Sequence, residues 1–250
     1  DDGTTSVPDG KLYLYSFSLD KATPHMICDA SEDATGFLVA PDGTPVAYVE
    51  HIPLHNEWRL YINATPNDKN EHFQLAYSVQ DPADLPSLEG IGRDGRSVVV
   101  SFNKGENQGE FREISADGTL SEPLDPEAKL DRSPLFHPVT QRLAGFRYAD
   151  DWPRDDYFDP MLKKLAESLP QVVDAGDRIR IVDFAEDPRK MIVYVENAHN
   201  AGNYVFIDFT TGGGSTIATN YHALPAEWIT EKQPIDYKAA DGLDIHAYLT

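Results

Sequence analysis

Short stretches of alternating apolar and polar residues recur along the chain in pairs, and a tight polar turn separates the two members of each pair. Four such pairs occupy Gly36–Glu50, Leu88–Phe102, Pro134–Tyr148 and Arg180–Glu196. Alternation with a period of two is typical of half-buried β-strands, and the Asp-Gly turns in two of the pairs supply the positive φ that hairpins require. The pattern therefore predicts a series of β-hairpins.

The predicted hairpins are regularly spaced. Their turns are marked by Gly43, Gly95, Thr140 and Pro188, which are 52, 45 and 48 residues apart. After most hairpins the sequence predicts a third strand, a polar turn and a weaker fourth strand. These second halves lie at Arg59–Tyr77, Gly109–Leu124 and Asn203–Thr219, and Lys11–Ile27 has the same form without a first half.

Four strands in each unit of roughly 45 residues are typical of the blades of a β-propeller. The predicted fold class is therefore all-β, a β-propeller forming a partial ring of about four to five four-stranded blades. Three blades are regular or nearly so, one is interrupted, and a half blade opens the chain. A propeller closes its ring to hide strand edges, so we expect residues before Asp1 to complete it. A β-sandwich with similar hairpins is the alternative.

The interrupted blade contains a predicted helical insertion at 159–169. Asp159 followed by Pro160 is a good helix start, because the carboxylate accepts backbone N–H bonds and proline pre-sets φ in the first turn. The apolar positions then follow the helical period, and Pro170 ends the segment. They are Leu162, Leu165, Ala166 and Leu169.

Composition excludes several classes of partner. The chain has 250 residues and a net charge of -21, a field that repels phosphate backbones and anionic lipid heads. We therefore expect neither nucleic-acid nor membrane partners, and no apolar run approaches the roughly 18 residues of a membrane span. A single cysteine, Cys28, excludes an internal disulfide. The sequence leaves the compartment open, with a periplasmic or secreted location favoured over the cytoplasm.

No residue is predicted to be catalytic, to bind a cofactor or to ligate a metal. Gly212–Thr216 lacks the second glycine of a nucleophile elbow and is interpreted as a hairpin loop. His51 and His55 have the spacing of a helical zinc pair, but Pro53 lies between them. His137, His199, His222 and His246 are interpreted as structural.

Three further features are ambiguous. Asn63 begins an Asn-Ala-Thr glycosylation tripeptide, which is common by chance. An acidic cluster lacks the ligand spacing of a calcium loop and is interpreted as a solvated insertion. Aromatic residues in the same segment pack either on their own domain or against a neighbouring one. The acidic residues are Asp150, Asp151, Asp155, Asp156 and Asp159, and the aromatic ones are Trp152, Tyr157 and Phe158.

The segment QPIDYKAADGLDIHAYLT, Gln233–Thr250, resembles the junction at which members of the prolyl oligopeptidase family of serine peptidases pass from a β-propeller to an α/β-hydrolase domain. The matching elements are Asp241-Gly242 and the final Tyr-Leu-Thr. The order of the helical insertion, a strand pair and NYVFIDFTTGG also resembles acylaminoacyl-peptidase and dipeptidyl-aminopeptidase relatives. The resemblance covers about Gly36 to the end and implies propeller blades at 1–230 and a junction at 231–250.

In that family the catalytic Ser, Asp and His belong to the hydrolase domain, so the resemblance implies that the triad follows Thr250 and that this chain is inactive. It implies that the propeller limits access to the active site. The implied partners are the hydrolase domain of the same protein and short peptide substrates, and a homo-oligomer is possible. A non-enzymatic binding propeller of the TolB-like or WD-repeat kind, or the propeller of an esterase, is the alternative.

Overall fold

The computed structural model describes residues 10–65, 72–82, 84–104, 108–125, 131–173, 178–230 and 232–249. The chain separates into two compact units, Asp1–Asp150 and Asp151–Thr250. Each unit is built from antiparallel strands that follow one another in sequence order within their sheets. None of the helices among the described residues is long and apolar enough to cross a membrane.

The first unit consists of successive hairpins and meanders, as the alternation predicts. A two-stranded sheet is followed by a four-stranded sheet, a three-stranded sheet and a further hairpin. The strands are β1 (Tyr13–Ser18) and β2 (Thr23–Asp29); β3 (Ala34–Val39), β4 (Pro45–Ile52), β5 (Glu57–Asn63) and β6 (Phe73–Gln80); β7 (Ser87–Ile91), β8 (Val98–Lys104) and β9 (Gln108–Ile114); and β10 (Arg132–Phe136) and β11 (Leu143–Tyr148).

Within residues 108–125, the weaker fourth strand predicted after β9 is present as two isolated antiparallel bridges, Phe111 with Leu124 and Ile114 with Leu120. Pro123 does not support a continuous ladder there, because proline has no N–H to donate. The predicted four-stranded repeat is therefore reduced to three strands plus two bridges in this blade.

Strand β8 contributes side chains to two buried clusters of the first unit. Val98 and Val100 belong to one buried cluster, whereas Val99, on the opposite face, belongs to another that includes Phe111 and Phe146. A strand with both faces buried has a continuous apolar run instead of an alternating one. The Val-Val-Val run thus reflects a blade strand packed between two layers.

The second unit contains the helical insertion, one complete four-stranded sheet and a final hairpin. Its sheet pairs each strand with the next, so that Val193 lies opposite Val205 and Val205 opposite Thr216. The elements are β12 (Arg154–Tyr157), α1 (Pro160–Ser168), β13 (Arg178–Phe184), β14 (Lys190–Asn197), β15 (Asn200–Asp208), β16 (Gly213–Thr219), β17 (Gln233–Lys238) and β18 (Asp244–Leu249).

Helix α1 begins at Pro160, directly after the predicted cap, and ends at Ser168, before the predicted end at 169. The Asp159 carboxylate accepts hydrogen bonds from the backbone N–H groups of Met161 and Leu162, at 3.0 and 2.9 Å. The helix continues into a 3-10 turn at Leu169–Gln171. Leu162, Leu165 and Leu169 are buried, so the predicted apolar face anchors the insertion, and the prediction of one short helical insertion is confirmed.

Candidate functional site

One face of the β13–β16 sheet carries a pocket of about 790 Å³, which we call the amide pocket. Its floor is formed by Val195, Asn203, Val205 and Thr216. These residues lie side by side because Val195 pairs with Asn203 and Val205 with Thr216 in the strand register. The volume is within the range of roughly 300–1,000 Å³ that is usual for ligand sites.

The walls of the amide pocket come from three polar segments. Gln171 and Val172 follow α1, and Asn197–Asn200 form the β14–β15 turn. Asparagine is frequent in turns because its side chain can bond the backbone two residues on. Here the Asn197 side chain accepts from the His199 N–H at 2.8 Å and the Asn200 side chain from the Gly202 N–H at 3.0 Å. The third segment follows β16 and contributes Asn220, Tyr221, His222 and Leu224.

The hydrogen-bonding groups of the amide pocket are only partly used within the protein. The Asn220 amide donates to the Tyr194 hydroxyl at 3.4 Å. The Oδ1 atom of Asn203, by contrast, is buried and has no hydrogen-bond partner among the described residues. A buried polar atom without a partner costs free energy, and a donor from a bound molecule would offset this cost.

The amide pocket is uncharged in a strongly charged protein. None of its lining residues within the described part of the chain is Asp, Glu, Lys or Arg, although these types make up 25% of the sequence. A second pocket of about 480 Å³ shares Gln171, Val172, Val205 and Thr216 with it and continues along Gly212–Gly214. The two pockets together form a groove, and the charged residue among the described ones that line its continuation is Asp208, which lies 3.8 Å from Lys190 Nζ.

A second polar cluster lies at the final hairpin. His246 is placed between two carboxylates, with Nδ1 2.7 Å from Asp236 Oδ1 and Nε2 3.2 Å from Asp151 Oδ2. The hydrogen bond to Asp236, together with that to Asp151, raises the pKa of His246 above its usual 6.5. The pKa of Asp151 is lowered, first by a hydrogen bond from Tyr248 and then by the one from His246. The imidazole is half exposed, so this cluster is a surface contact of the hairpin.

The acidic residues of the insertion have separate structural roles. Asp151 bonds His246, Asp155 accepts from the Tyr157 hydroxyl at 3.4 Å, and Asp159 caps α1. Among residues whose placement the structure describes, no group of three or more His, Cys, Asp or Glu side chains is arranged to hold a metal.

The aromatic residues of the insertion pack mainly on their own unit. Trp152 stacks on Tyr194 with ring centroids 6.3 Å apart and donates to the Ile179 carbonyl at 3.3 Å. Tyr157 is buried, whereas Phe158 stays 44% exposed. Of the two interpretations left open by the sequence, internal packing accounts for Trp152.

The remaining sequence candidates have structural positions. Asn63 is buried and its amide donates to the Pro45 carbonyl at 3.0 Å, so the glycosylation tripeptide does not present its nitrogen to solvent. His137 Nδ1 accepts two turn N–H groups. His51 lies in β4, while His55 ends a 3-10 turn.

Gly212 turns the chain into β16, as the interpretation of a hairpin loop requires. Cys28 is buried in β2.

Sequence reasoning missed the amide pocket. Its signal was the asparagine-rich string NAHNAGN, in which Asn197, Asn200 and Asn203 recur every third residue across a predicted hairpin. His199 and His222, interpreted as structural, both line the pocket. The division into blades at 1–230 and a junction at 231–250 stays a prediction.

No protein-family model matches the chain, and no curated protein matches its sequence significantly. Among solved structures, apo prolyl oligopeptidase B from Galerina marginata aligns with a TM-score of 0.52 at 12% identity, over 96% of this chain and 36% of that one. A puromycin-hydrolyzing peptidase from Mycobacterium tuberculosis aligns with a TM-score of 0.46 at 14% identity, over 97% and 42% of the two chains. TolB from Acinetobacter baumannii aligns with a TM-score of 0.40 at 14% identity, over 94% and 57%.

The chain thus spans 36% to 57% of the length of these three proteins. At such identities the similarity concerns the fold alone, and the first of the three alignments carries it. The predicted all-β fold class is confirmed: the chain has a β-propeller fold with one short helical insertion.

Proposed function

We propose that this chain is the non-catalytic propeller part of a serine peptidase that hydrolyses short peptides, and that it controls access to the active site. The observation that carries the proposal is the final hairpin. Strands β17 and β18 pair in register around an Asp-Gly turn, with Gly242 at φ +88°, in the arrangement implied by the family resemblance.

The hairpin has the surface of an element that packs against another domain. Tyr237, Leu243, Tyr248 and Leu249 are 51%, 63%, 44% and 57% exposed. A two-stranded hairpin is marginally stable in water by itself and gains stability when an apolar face is covered. An adjoining hydrolase domain of the same protein would cover these side chains.

The chemistry of such an enzyme belongs to the hydrolase domain. By resemblance, a serine attacks the peptide carbonyl, a histidine takes the serine proton as general base, and backbone N–H groups bind the oxyanion. No residue of this chain is assigned to these steps. The contribution of the propeller is to exclude folded proteins and admit short peptides.

The proposal is tested on the full-length gene product. We expect a fluorophosphonate probe to label one serine outside this chain, and we expect turnover of short chromogenic peptides. The control substrate is a folded protein that carries the same cleavable sequence in a surface loop. This protein should resist cleavage. Absence of labelling together with absence of peptide turnover would show that the peptidase proposal is wrong.

The second candidate is a non-enzymatic binding propeller. The amide pocket favours it, because an uncharged, hydrogen-bonding cavity on the propeller itself can bind a ligand without any catalytic domain. The same experiment separates the two, since a binding propeller is not labelled. If the probe labels the protein and the protein hydrolyses aryl esters but not peptides, the result would instead support the esterase alternative. In an esterase, the residues around the nucleophile set the acyl specificity.

A further inference from the structure

We propose that the groove formed by the amide pocket and its continuation along Gly212–Gly214 binds an extended, uncharged peptide segment, with Asn203 as a direct ligand of the peptide backbone. The juxtaposition that carries this inference is a buried acceptor, without a partner among the described residues, on the floor of an uncharged pocket lined by carboxamides.

Carboxamides match the hydrogen-bonding groups of a peptide. An Asn or Gln side chain presents one carbonyl acceptor and two N–H donors, and each peptide unit presents one donor and one acceptor. Asn197, Asn200, Asn203, Asn220 and Gln171 all line the amide pocket. Such a set recognises main-chain groups whatever the side chains of the ligand are.

The state of Asn203 indicates where the peptide makes its central contact. Its Oδ1 atom is buried without a partner among the described residues, whereas the Oδ1 atoms of Asn197 and Asn200 are occupied by backbone N–H groups. A peptide N–H that reaches Asn203 would satisfy this acceptor. In the strand register Asn203 pairs with the apolar Val195 on one side and with the polar Thr219 on the other.

The shape of the groove favours an extended chain over a compact ligand. The two pockets share four lining residues, and the second one runs past three consecutive glycines. Glycines have no side chain and therefore allow another backbone to approach closely. Val172, Val205 and Leu224 provide apolar surface for the side chains of the peptide.

The charges disfavour other ligand classes. The described residues of the amide pocket include no Lys or Arg to bind a phosphate or carboxylate, and the net charge of -21 repels anions.

The inference deepens the proposed function, since it would give a peptidase propeller a direct contact with its substrate. It is tested by binding to the full-length protein after treatment with the fluorophosphonate probe, so that the readout does not depend on turnover. Its outcome is therefore separate from that of the probe labelling and turnover measurements on the full-length protein.

The experiment measures binding of an acetylated and amidated hexapeptide of Gly, Ala, Ser and Leu by isothermal titration calorimetry. Asn203→Leu keeps the side-chain volume but removes the amide. We expect this variant to bind the peptide about tenfold more weakly, because one well-placed hydrogen bond is lost. Its melting temperature should be unchanged or higher, because an unpartnered buried acceptor has been replaced. A structural asparagine would give the opposite result, lower stability.

Two further variants complete the design. Gln80→Leu exchanges an exposed carboxamide in the other unit and should leave binding unchanged. Gln171→Leu changes an exposed residue at the rim of the groove, where misfolding is not expected, and should weaken binding severalfold. If the hexapeptide does not bind, if Asn203→Leu and Gln171→Leu bind as well as the unchanged chain, or if a neutral oligosaccharide binds in its place, the inference is wrong.

Discussion

The substitution Leu162→Ala tests how the helical insertion is attached to the second unit. Leu162 is fully buried on the inner face of α1, at 0% exposure. The change removes three carbon atoms, which corresponds to roughly 2.4 kcal/mol at about 0.8 kcal/mol for each buried group. The cavity left behind adds to this, so we expect a loss of about 3 kcal/mol, within the usual range of roughly 2–5 kcal/mol.

The neighbouring substitution Met161→Ala is the matched control. Met161 lies in the same turn of α1 but is 41% exposed, so its removal should cost less than about 1 kcal/mol. The free energy of unfolding is measured by urea titration, followed both by circular dichroism and by tryptophan fluorescence. The α1 segment also leads into Gln171, so Leu162→Ala should weaken peptide binding at the amide pocket as well.

The reasoning is refuted if Leu162→Ala costs less than about 1 kcal/mol, or no more than Met161→Ala. Either result would mean that α1 does not contribute a buried face to the second unit. If the two spectroscopic probes gave different midpoints, the two units would be unfolding separately. The comparison should then be made in a Trp58→Phe background, in which the remaining tryptophans, Trp152 and Trp228, both belong to the second unit.

Three further predictions concern local features. Asp159→Ala removes the acceptor of two N–H groups and should cost about 1 kcal/mol by urea titration, whereas Asp159→Asn should cost less; equal losses would contradict the cap. Gly202→Ala should lower the melting temperature, since φ is +124° and the new Cβ would lie 1.9 Å from the Tyr194 hydroxyl; an unchanged value would exclude this packing. Because hydrogen bonding to Asp236 raises the pKa of His246, the stabilisation is complete below pH 6.5 and is lost as pH rises through the raised pKa. Asp236→Asn should therefore reduce stability more at about pH 5.5 than at about pH 8.5, and a loss independent of pH would oppose that assignment.

Local signals in the sequence were sufficient for the individual elements. The alternation of Met191, Val193 and Val195 predicted a strand because every second side chain faces the same side of a sheet. Asp159 and Pro160 predicted the start of α1, since both act on the backbone of the first turn. The Asp-Gly turns and the 45- to 52-residue spacing predicted the propeller fold class, because each blade is one local unit repeated.

The candidate site could not be predicted in the same way. Gln171, Asn203 and Asn220 are far apart in sequence and meet only because β15 and β16 pair and the segment after α1 packs over their sheet. His246 and Asp151 are separated by 95 positions and still form a hydrogen bond. No period or spacing in the sequence encodes such contacts.

The sequence by itself determined the all-β class, the hairpins and the capped helix, because these depend on the preferences of residues close together along the chain. Only the tertiary structure decided which side chains share a surface. It placed an asparagine-rich turn beside the end of a helix and left the Asn203 oxygen buried without a partner. Burial and hydrogen-bond satisfaction are properties of the assembled layers, and they are established only when separate elements pack together.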